Sequence, residues 1–206
     1  MLPKVFVGEH LPASEVWNTS LTLNRGGRYL IEAASGAGKS SLCAFIYGAR
    51  RDYIGNLSFN GVSADTISIS QWQSIRRENI AYLSQELMLF PELSAIDNIM
   101  LKDNINSFID MKEVEEWLDL LGISSRRDFP VGRMSVGQQQ RVAIIRSICQ
   151  PFDFILLDEP VSHLDEVNNR IAAELVEKQA SRLGAAIVST SVGNPLLLDN
   201  AVTIKL

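Results

Sequence analysis

The chain has 206 residues, 46% of them hydrophobic, and a formal net charge of −5. Its longest apolar runs, AAIV from Ala185 and FILL from Phe154, are far shorter than the roughly 18 apolar residues of a membrane-spanning helix. The acidic charge balance argues against a broad surface that binds the phosphate backbone of nucleic acids. We therefore expect one globular domain over residues 1–206, without nucleic acid as its partner.

Two features of the sequence bear on the compartment in which the protein works. No basic start followed by an apolar stretch and a small-residue cleavage site opens the sequence, which predicts that the protein stays in the cytoplasm. The cysteines, Cys43 and Cys149, lie among apolar neighbours in apparent helical patterns. We interpret both as reduced thiols of the core, which is the ordinary state of cysteine in the cytoplasm.

The first predicted elements along the chain are two strands and a helix. Residues 16–23, VWNTSLTL, have the composition of a strand in which Trp17 has a packing role. Residues 29–31 are predicted as a buried strand, and residues 40–49 have the apolar spacing of a helix. A turn rich in small residues, EAASGAGKSSL at 32–42, therefore joins a strand to a helix.

This turn has the properties of a phosphate-binding loop. Residues 33–40, AASGAGKS, follow the pattern G-x-x-x-x-G-K-[ST], except that Ala33 stands where the first glycine is expected. The backbone N–H groups of such a loop and the positive end of the following helix dipole form a nest for phosphate oxygens. We predict that Lys39 bridges the β- and γ-phosphates of ATP and that the Ser40 hydroxyl binds Mg²⁺. The predicted phosphate-binding residues are Ser35, Gly36, Ala37, Gly38, Lys39, Ser40 and Ser41.

Residues 154–160, FILLDEP, supply the carboxylates that a phosphate-loop enzyme needs. They read as a short apolar strand that ends in Asp158 and Glu159. A first carboxylate at the C-terminal edge of a strand suits Mg²⁺, often through water, and a second suits polarisation of the hydrolytic water. We therefore predict Asp158 as a metal ligand and Glu159 as a catalytic residue. Taken alone, the same string is an apolar strand that ends in an acidic turn.

Between these motifs lies MSVGQQQRVAIIRSI, residues 134–148, which resembles the signature motif LSGGQ and the following basic helix of the ATP-binding cassette family. The matching residues are Ser135, Gly137 and Gln138, and the departures are Met134 for the leucine and Val136 for the first glycine. The resemblance implies that this helix N-terminus contacts the γ-phosphate held by a second subunit. One subunit therefore cannot form a complete site.

Other landmarks of the family follow in order along the chain. GNLSFNG at 55–61 resembles the peripheral antiparallel strand with an Asn-Gly turn. IRRENIAYLSQE at 75–86 resembles the strand that ends in the Q-loop glutamine, which implies that Gln85 senses Mg²⁺ and the attacking water. LFPELSAIDNIML resembles the entry to the helical subdomain, which we place at residues 88–149.

The resemblance also implies a fold and a dimer contact. The expected fold is α/β: a phosphate-loop core with a peripheral antiparallel β-subdomain and a helical subdomain. SHLD at 162–165 resembles the D-loop that runs across the dimer interface, with Asp165 as its carboxylate. AVTIKL at 201–206 is predicted as the final strand of the core.

The clearest departure from the family is a missing histidine. The family ends a strand near its C-terminus in a histidine that contacts the γ-phosphate, whereas the matching text here is AAIVSTSVGN. Ser191, or Thr190 if the alignment shifts by one residue, stands at that place. His10 lies near where the family often stacks an aromatic ring on adenine, and we interpret it either as an adenine contact or as a surface histidine. Glu32 is unusual in an otherwise apolar strand and has no assigned role.

The function that the resemblance implies is that of an ATP-hydrolysing transporter subunit. It dimerises around two nucleotides, with itself or with another cassette subunit, and drives a separate membrane permease from the inner face of the cell membrane. The stretch LFPELSAIDNI resembles the cassettes of importers and of the lipoprotein-release and macrolide-efflux type. The transported substrate and the direction of transport stay open.

Three other functions compete with this interpretation. A nucleotide-gated binding module with weak or no hydrolysis is favoured by the missing histidine, by Val136 and by Ala33, but a regulatory site has no evident need for Glu159. A cassette ATPase of DNA repair or translation carries long coiled coils, zinc modules or two cassettes, for which this chain has no room. A simple phosphate-loop kinase does not account for MSVGQQQR or SHLD.

Overall fold

The computed structural model describes residues 1–9 and 13–206 and has an α/β fold. Its strands are β1 (Leu2–Pro3), β2 (Arg28–Glu32), β3 (Tyr53–Ile54), β4 (Ser58–Phe59), β5 (Val62–Ser63), β6 (Ile80–Leu83), β7 (Phe154–Asp158), β8 (Ala186–Ser191) and β9 (Val202–Lys205). Its helices are α1 (Lys39–Ile46), α2 (Ile69–Glu78), α3 (Ala95–Asn106), α4 (Met111–Leu120), α5 (Val136–Ile148) and α6 (Glu166–Leu183). Among the described residues, no helix combines the length and the apolar composition that crossing a membrane requires.

Five parallel strands form the central sheet in the order β6-β7-β8-β2-β9. Ile155 and Leu157 of β7 pack in one hydrophobic cluster and Leu156 between them packs in another, so both faces of the sheet are covered. The carboxyl ends of parallel strands meet at one edge, where open α/β sheets bind their ligands. The phosphate loop, Gln85 and Asp158 lie at this edge, because each ends or closely follows one of these strands.

Two small antiparallel sheets accompany the central one. β1 pairs with β3, and β4 pairs with β5. The β4-β5 hairpin turns at Asn60 and Gly61, whose φ angles of 50° and 83° are those that an Asn-Gly turn favours. The predicted α/β class with a peripheral antiparallel part is confirmed.

The predicted strand at residues 16–23 is wrong. The backbone amides of Val16 and Trp17 both donate to the Ser14 hydroxyl, at 3.1 and 2.9 Å, and Asn18 has a φ of 58°. The chain therefore turns where an extended strand was expected. Side-chain-to-backbone bonding by serine and the left-handed tolerance of asparagine outweigh the β-propensity of the surrounding residues here.

Three helices, α3, α4 and α5, occupy most of residues 88–149. They pack around buried apolar side chains that include Ile99, Leu118 and Ile145. Ser94 caps α3 by accepting a hydrogen bond from the Asp97 amide at 3.1 Å, as N-cap residues do. That residues 88–149 form a helical subdomain within a single domain of residues 1–206 stays a prediction.

Both cysteines are buried and unpaired in the described part of the chain, as the sequence predicts. Burial raises the pKa of the Cys43 and Cys149 thiols above its ordinary value, because the thiolate is poorly solvated in the core. Neither thiol is in the reactive thiolate form at neutral pH.

Candidate active site

The phosphate loop between β2 and α1 depends on two glycines with a left-handed backbone. Gly36 and Gly38 have φ angles of 81° and 98°, which residues with a Cβ rarely adopt. Gly38 is also the N-cap of α1, and a Cβ there would lie 3.0 Å from ring atoms of both Phe6 and Trp17. The loop therefore leads directly into a helix N-terminus, where backbone amides have no intrahelical acceptors.

Trp17 packs against this loop and forms a hydrogen bond with it. Its side chain is buried, and the indole Nε1 donates to the Ala37 carbonyl at 3.0 Å. The packing role predicted for Trp17 is confirmed, and the hydrogen bond fixes one peptide of the loop in addition. The other aromatic ring against Gly38 is Phe6, which the sequence analysis did not single out. His10, the predicted adenine contact, lies outside the described residues.

Lys39 is the buried cation of the loop. Its side chain is 4% exposed, and its Nζ donates to the carbonyls of Ala33 and Ala34 at 3.2 and 3.0 Å. The same Nζ lies 3.6 Å from Glu159 Oε1 at the end of β7. The structure thus brings together a lysine and a glutamate that the sequence analysis assigns to one site.

Three oxygen-bearing side chains at the same edge have the chemistry of a Mg²⁺ site. The Ser40 hydroxyl lies 3.4 Å from Gln85 Oε1. Asp158 Oδ2 is buried and has no hydrogen-bond partner among the described residues, although buried carboxylate oxygens are normally satisfied. A hard cation satisfies such an oxygen, and Mg²⁺ needs only one or two carboxylates when phosphates and water complete its shell. The residues present therefore fit the predicted Mg²⁺.

Thr190 of β8 organises both carboxylate residues at the end of β7. Its hydroxyl donates to Asp158 Oδ1 at 2.7 Å and accepts from the Glu159 backbone amide at 3.1 Å. Parallel pairing makes this possible, because Asp158 and Thr190 are register partners on adjacent strands. Glu159 itself has a left-handed backbone with a φ of 51°, which is strained for a residue with a Cβ.

Two residues of β8, Thr190 and Ser191, are the candidates for the position of the missing histidine. Thr190 is fully buried and its hydroxyl already bonds to Asp158 and Glu159. Ser191 is buried as well, and its Oγ has no hydrogen-bond partner within the described residues. Neither side chain carries the basic nitrogen of an imidazole. Thr190 instead holds the two carboxylate residues that the sequence places next to each other.

The signature-like segment forms the N-terminus of α5. Ser135 is exposed and is the N-cap: its Oγ accepts from the Gln138 amide at 3.3 Å, while Gln138 Oε1 accepts from the Ser135 amide at 3.1 Å. This reciprocal capping box explains the spacing of the two residues. A Cβ at Gly137 would lie 2.9 Å from the carbonyl oxygen of His163, so only glycine allows the helix to pass so close.

The D-loop-like segment leads into α6. Asp165 is the N-cap of this helix, and its Oδ1 accepts from the backbone amide and the side-chain amide of Asn168, both at 2.8 Å. These hydrogen bonds lower the pKa of the Asp165 carboxyl below its ordinary value, with the backbone amide as the largest cause. The carboxylate therefore has a local capping role in the single chain.

Two residues of the site were missed by the sequence analysis. The sequence suggested Thr190 only as an occupant of the histidine position, and it gave no role to Gln140. Gln140 is 1% exposed and lies on α5, where it bonds to the backbone of residues 159 and 163. In the sequence it is the third of three consecutive glutamines, a pattern that is typical of a solvated helix face. Only the apolar residues that follow Gln140 on α5 indicate that it faces inward; they are Val142, Ala143, Ile144, Ile145 and Ile148, and all are buried.

Comparison with known proteins places these observations in a family context. The family model described as "ABC transporter" matches residues 16–162. The chain is 28% identical to the lipoprotein-releasing system ATP-binding protein LolD of Shewanella denitrificans, with 90% of this chain and 81% of that protein covered. It is 32% identical to the methionine import ATP-binding protein MetN of Haemophilus ducreyi, with 83% of this chain covered but only 50% of MetN.

A solved structure shares the fold. The dimeric structure of MJ0796, described as a bacterial ABC transporter cassette, superposes with a TM-score of 0.77 at 24% identity. The match covers 90% of this chain and 84% of that chain. The expected arrangement of a phosphate-loop core with additional antiparallel and helical parts is therefore confirmed.

Proposed function

The chain belongs to the ABC transporter family, whose model matches residues 16–162, and on this premise we propose that it is the ATP-hydrolysing subunit of a transporter. Two such subunits close around ATP and drive a separate membrane permease, which holds them at the inner face of the cell membrane. The single observation that carries the proposal is the cluster of Lys39, Asp158 and Glu159 at the carboxyl edge of the sheet. LolD is named for lipoprotein release and MetN for methionine import, so the cargo and its direction are left open.

The phosphate loop binds the nucleotide in this proposal. Residues 35–41 offer backbone amides and hydroxyls to the phosphates, and the N-terminus of α1 adds its dipole. Lys39 Nζ already lies 3.6 Å from Glu159 and 3.0 Å from the Ala34 carbonyl, so a small movement exchanges these acceptors for β- and γ-phosphate oxygens. The exchange would leave the Glu159 carboxylate free to accept a proton.

Ser40, Gln85 and Asp158 are the residues that would hold Mg²⁺. The orphaned Asp158 Oδ2 supports this assignment, together with the approach of the Ser40 hydroxyl to Gln85. When bound, Mg²⁺ supplies positive charge that neutralises the phosphate oxygens of the nucleotide. Thr190 keeps Asp158 in place by donating to its other oxygen.

Glu159 is the general base of the proposed hydrolysis. Its carboxylate takes a proton from the water molecule whose oxygen forms a bond to the γ-phosphorus, while the bond from that phosphorus to the β,γ-bridging oxygen breaks and ADP leaves. The exposed Ser135, with Gly137 and Gln138, would contact the γ-phosphate bound to the partner subunit. The missing histidine means that positioning of Glu159 depends on Thr190 and on the backbone contacts of its segment.

The test is Mg²⁺-dependent ATP hydrolysis by the purified subunit over a range of protein concentrations. We expect a specific rate that rises with concentration, since two subunits form one site, and that vanishes in Lys39→Ala and in Glu159→Gln. Binding of an ATP analogue should persist in Glu159→Gln, because that variant keeps the loop intact. A parent protein that binds nucleotide but hydrolyses none at any concentration would instead identify an ATP-gated binding module.

A further inference from the structure

Gln140 makes three hydrogen bonds from α5 to the segment that carries Glu159. Its Nε2 donates to the Glu159 carbonyl and to Ser162 Oγ, both at 3.2 Å. Its Oε1 accepts from the His163 backbone amide at 3.0 Å. Both N–H donors of the amide and one of the two lone pairs of its oxygen are therefore used on residues 159–163, and the side chain is 1% exposed.

The segment that Gln140 contacts contains a strained residue and few backbone hydrogen bonds of its own: the Ser162 amide donates to the Glu159 carbonyl at 3.4 Å and the Leu164 amide to the Val161 carbonyl at 3.1 Å. Glu159 has a φ of 51°, a conformation that costs a residue with a Cβ of order 1–3 kcal/mol and persists only where the surroundings fix it. Thr190 bonds to the amide of Glu159, and Gln140 bonds to the carbonyl of the same residue. The two side chains thus fix the two peptide groups that flank the Glu159 side chain.

Helix α5 also contacts this segment at its first turn. A Cβ at Gly137 would meet the His163 carbonyl oxygen at 2.9 Å, so the first turn of α5 and the segment are in close contact. Ser135, the N-cap of α5, lies five residues before Gln140 on the same continuous helix. The helix N-terminus and the side chain that contacts the Glu159 carbonyl are therefore about 7.5 Å apart along one continuous helix, at 1.5 Å per residue.

We propose that Gln140 is a positioning residue that holds Glu159 in its working orientation and couples it to the N-terminus of α5. The proposal rests on the proposed function, because Glu159 must be the base for its position to affect hydrolysis. Gln140 acts through the Glu159 backbone and not on the nucleotide. Its loss lowers the rate of the chemical step and leaves nucleotide binding unchanged.

Two substitutions of similar size separate the amide's donor and acceptor functions. Gln140→Met keeps the volume and removes all three hydrogen bonds. Gln140→Glu keeps an acceptor for the His163 amide but, when ionised, has no proton to donate to the Glu159 carbonyl. Protonation restores a single O–H donor, so a fall in pH restores the donor.

Gln150 provides a matched control on the same stretch of chain. It is also 1% exposed and also makes three hydrogen bonds, with its Nε2 donating to the carbonyls of Arg76 and Ile80 and its Oε1 accepting from Lys102 Nζ. Gln150→Met therefore removes as many buried hydrogen bonds as Gln140→Met, but none of them reaches residues 159–163.

The experiment compares the parent, Gln140→Met, Gln140→Glu and Gln150→Met in ATP hydrolysis, ATP-analogue binding, thermal unfolding and amide hydrogen exchange. We expect Gln140→Met to lower kcat by about 10- to 100-fold, as small misplacements of a catalytic group do. Its KM and analogue affinity should stay unchanged. In Gln140→Glu, kcat relative to the parent should rise as the pH falls. Gln150→Met should lower the unfolding temperature as Gln140→Met does, with kcat unchanged.

Other outcomes would contradict either the role of Gln140 or the proposed function on which it rests. If Gln140→Met retains the parent kcat, or if Gln150→Met loses as much, Gln140 has only a structural role. If the parent itself hydrolyses no ATP, the proposed function fails. Hydrogen exchange then still decides the contact: the His163 amide should lose protection in Gln140→Met and keep it in Gln150→Met, and equal protection in both would refute the coupling.

Discussion

The phosphate loop and the segment that carries Glu159 meet at the same edge of the sheet, but contacts of different range hold them. Lys39 bonds to the carbonyls of Ala33 and Ala34, six and five residues away. The Glu159 amide bonds to Thr190, 31 residues away, and its carbonyl accepts from Gln140, 19 residues away, as well as from the nearby Ser162 amide at 3.4 Å. The buried lysine of the loop is thus held by neighbouring residues, with Trp17 as an additional distant contact at Ala37, whereas the geometry of the general base depends mainly on how two other elements pack.

The largest effect is expected from Gly38→Ala, which tests the left-handed backbone of the loop and its packing against two aromatic rings. The new Cβ would have to adopt a φ of 98° and would lie 3.0 Å from Phe6 and Trp17. We expect the free energy of unfolding to fall by about 2–5 kcal/mol, from left-handed strain together with overpacking, and nucleotide binding to be lost. Denaturant unfolding and equilibrium binding of an ATP analogue measure the two effects.

Gly26→Ala is the control for this substitution. Gly26 has a φ of 75°, but a Cβ there would have no neighbour within 4 Å among the described residues. In Gly26→Ala the free energy of unfolding should therefore fall only by the strain energy of about 1–2 kcal/mol. The variant should bind nucleotide like the parent. Equal losses in the two variants would mean that the contact with the aromatic rings does not matter.

The second effect concerns the long-range contacts of the Glu159 segment. Thr190→Val keeps the shape of the side chain but leaves Asp158 Oδ1 and the Glu159 amide without their shared partner. We expect a loss of about 1–3 kcal/mol in the free energy of unfolding and a lower kcat, because buried polar groups are costly when unsatisfied. Thr190→Ser, which restores the hydroxyl, should recover most of the activity.

Ser189 is a neighbouring control for Thr190. It is fully buried in β8, and its hydroxyl has no hydrogen-bond partner among the described residues. Ser189→Ala should therefore leave both stability and kcat near those of the parent. If Ser189→Ala lowers kcat as much as Thr190→Val, the activity loss reflects general disturbance of β8 and not the loss of the two hydrogen bonds.

A smaller effect is expected where a distant side chain supports the loop. Trp17→Phe removes the hydrogen bond from the indole to the Ala37 carbonyl and should cost about 0.5–1.5 kcal/mol beyond the lost ring area. Trp72→Phe is the control, since Trp72 is equally buried but its Nε1 has no partner within the described residues. Urea unfolding of both variants gives the difference, which should be near zero if the loop is held by local contacts alone.

The smallest effect is a dependence of stability on pH at the start of α6. The pKa of Asp165 is lowered in the fold, so its contribution is present above the unfolded value of about 3.9 and is lost as the pH falls through the lower folded value. Asp165→Asn keeps a capping side chain but has no charge to titrate. The difference in unfolding temperature between parent and variant should therefore shrink as the pH falls below about 4, and a constant difference would contradict the assignment.

The sequence predicted the central elements of the fold well, because their signals are short in range. The apolar run FILL, followed by two carboxylates, gave β7 and the position of Asp158 at its end. AASGAGKS predicted the turn between β2 and α1, because its glycines can adopt the left-handed backbone that residues with a Cβ rarely adopt. The strand predicted at residues 16–23 failed because Ser14 and Asn18 form a turn that its β-propensity did not reveal.

By itself the sequence determined which residues end the parallel strands, and therefore that Lys39, Asp158 and Glu159 lie at one edge of one sheet. Only the tertiary structure decided what fixes their orientation. Thr190 reaches Asp158 because β7 and β8 are paired in register, and Gln140 reaches Glu159 because Gly137 lets α5 pass close to His163. Strand register and helix contact join residues that are far apart in the chain. A local sequence pattern does not predict such contacts.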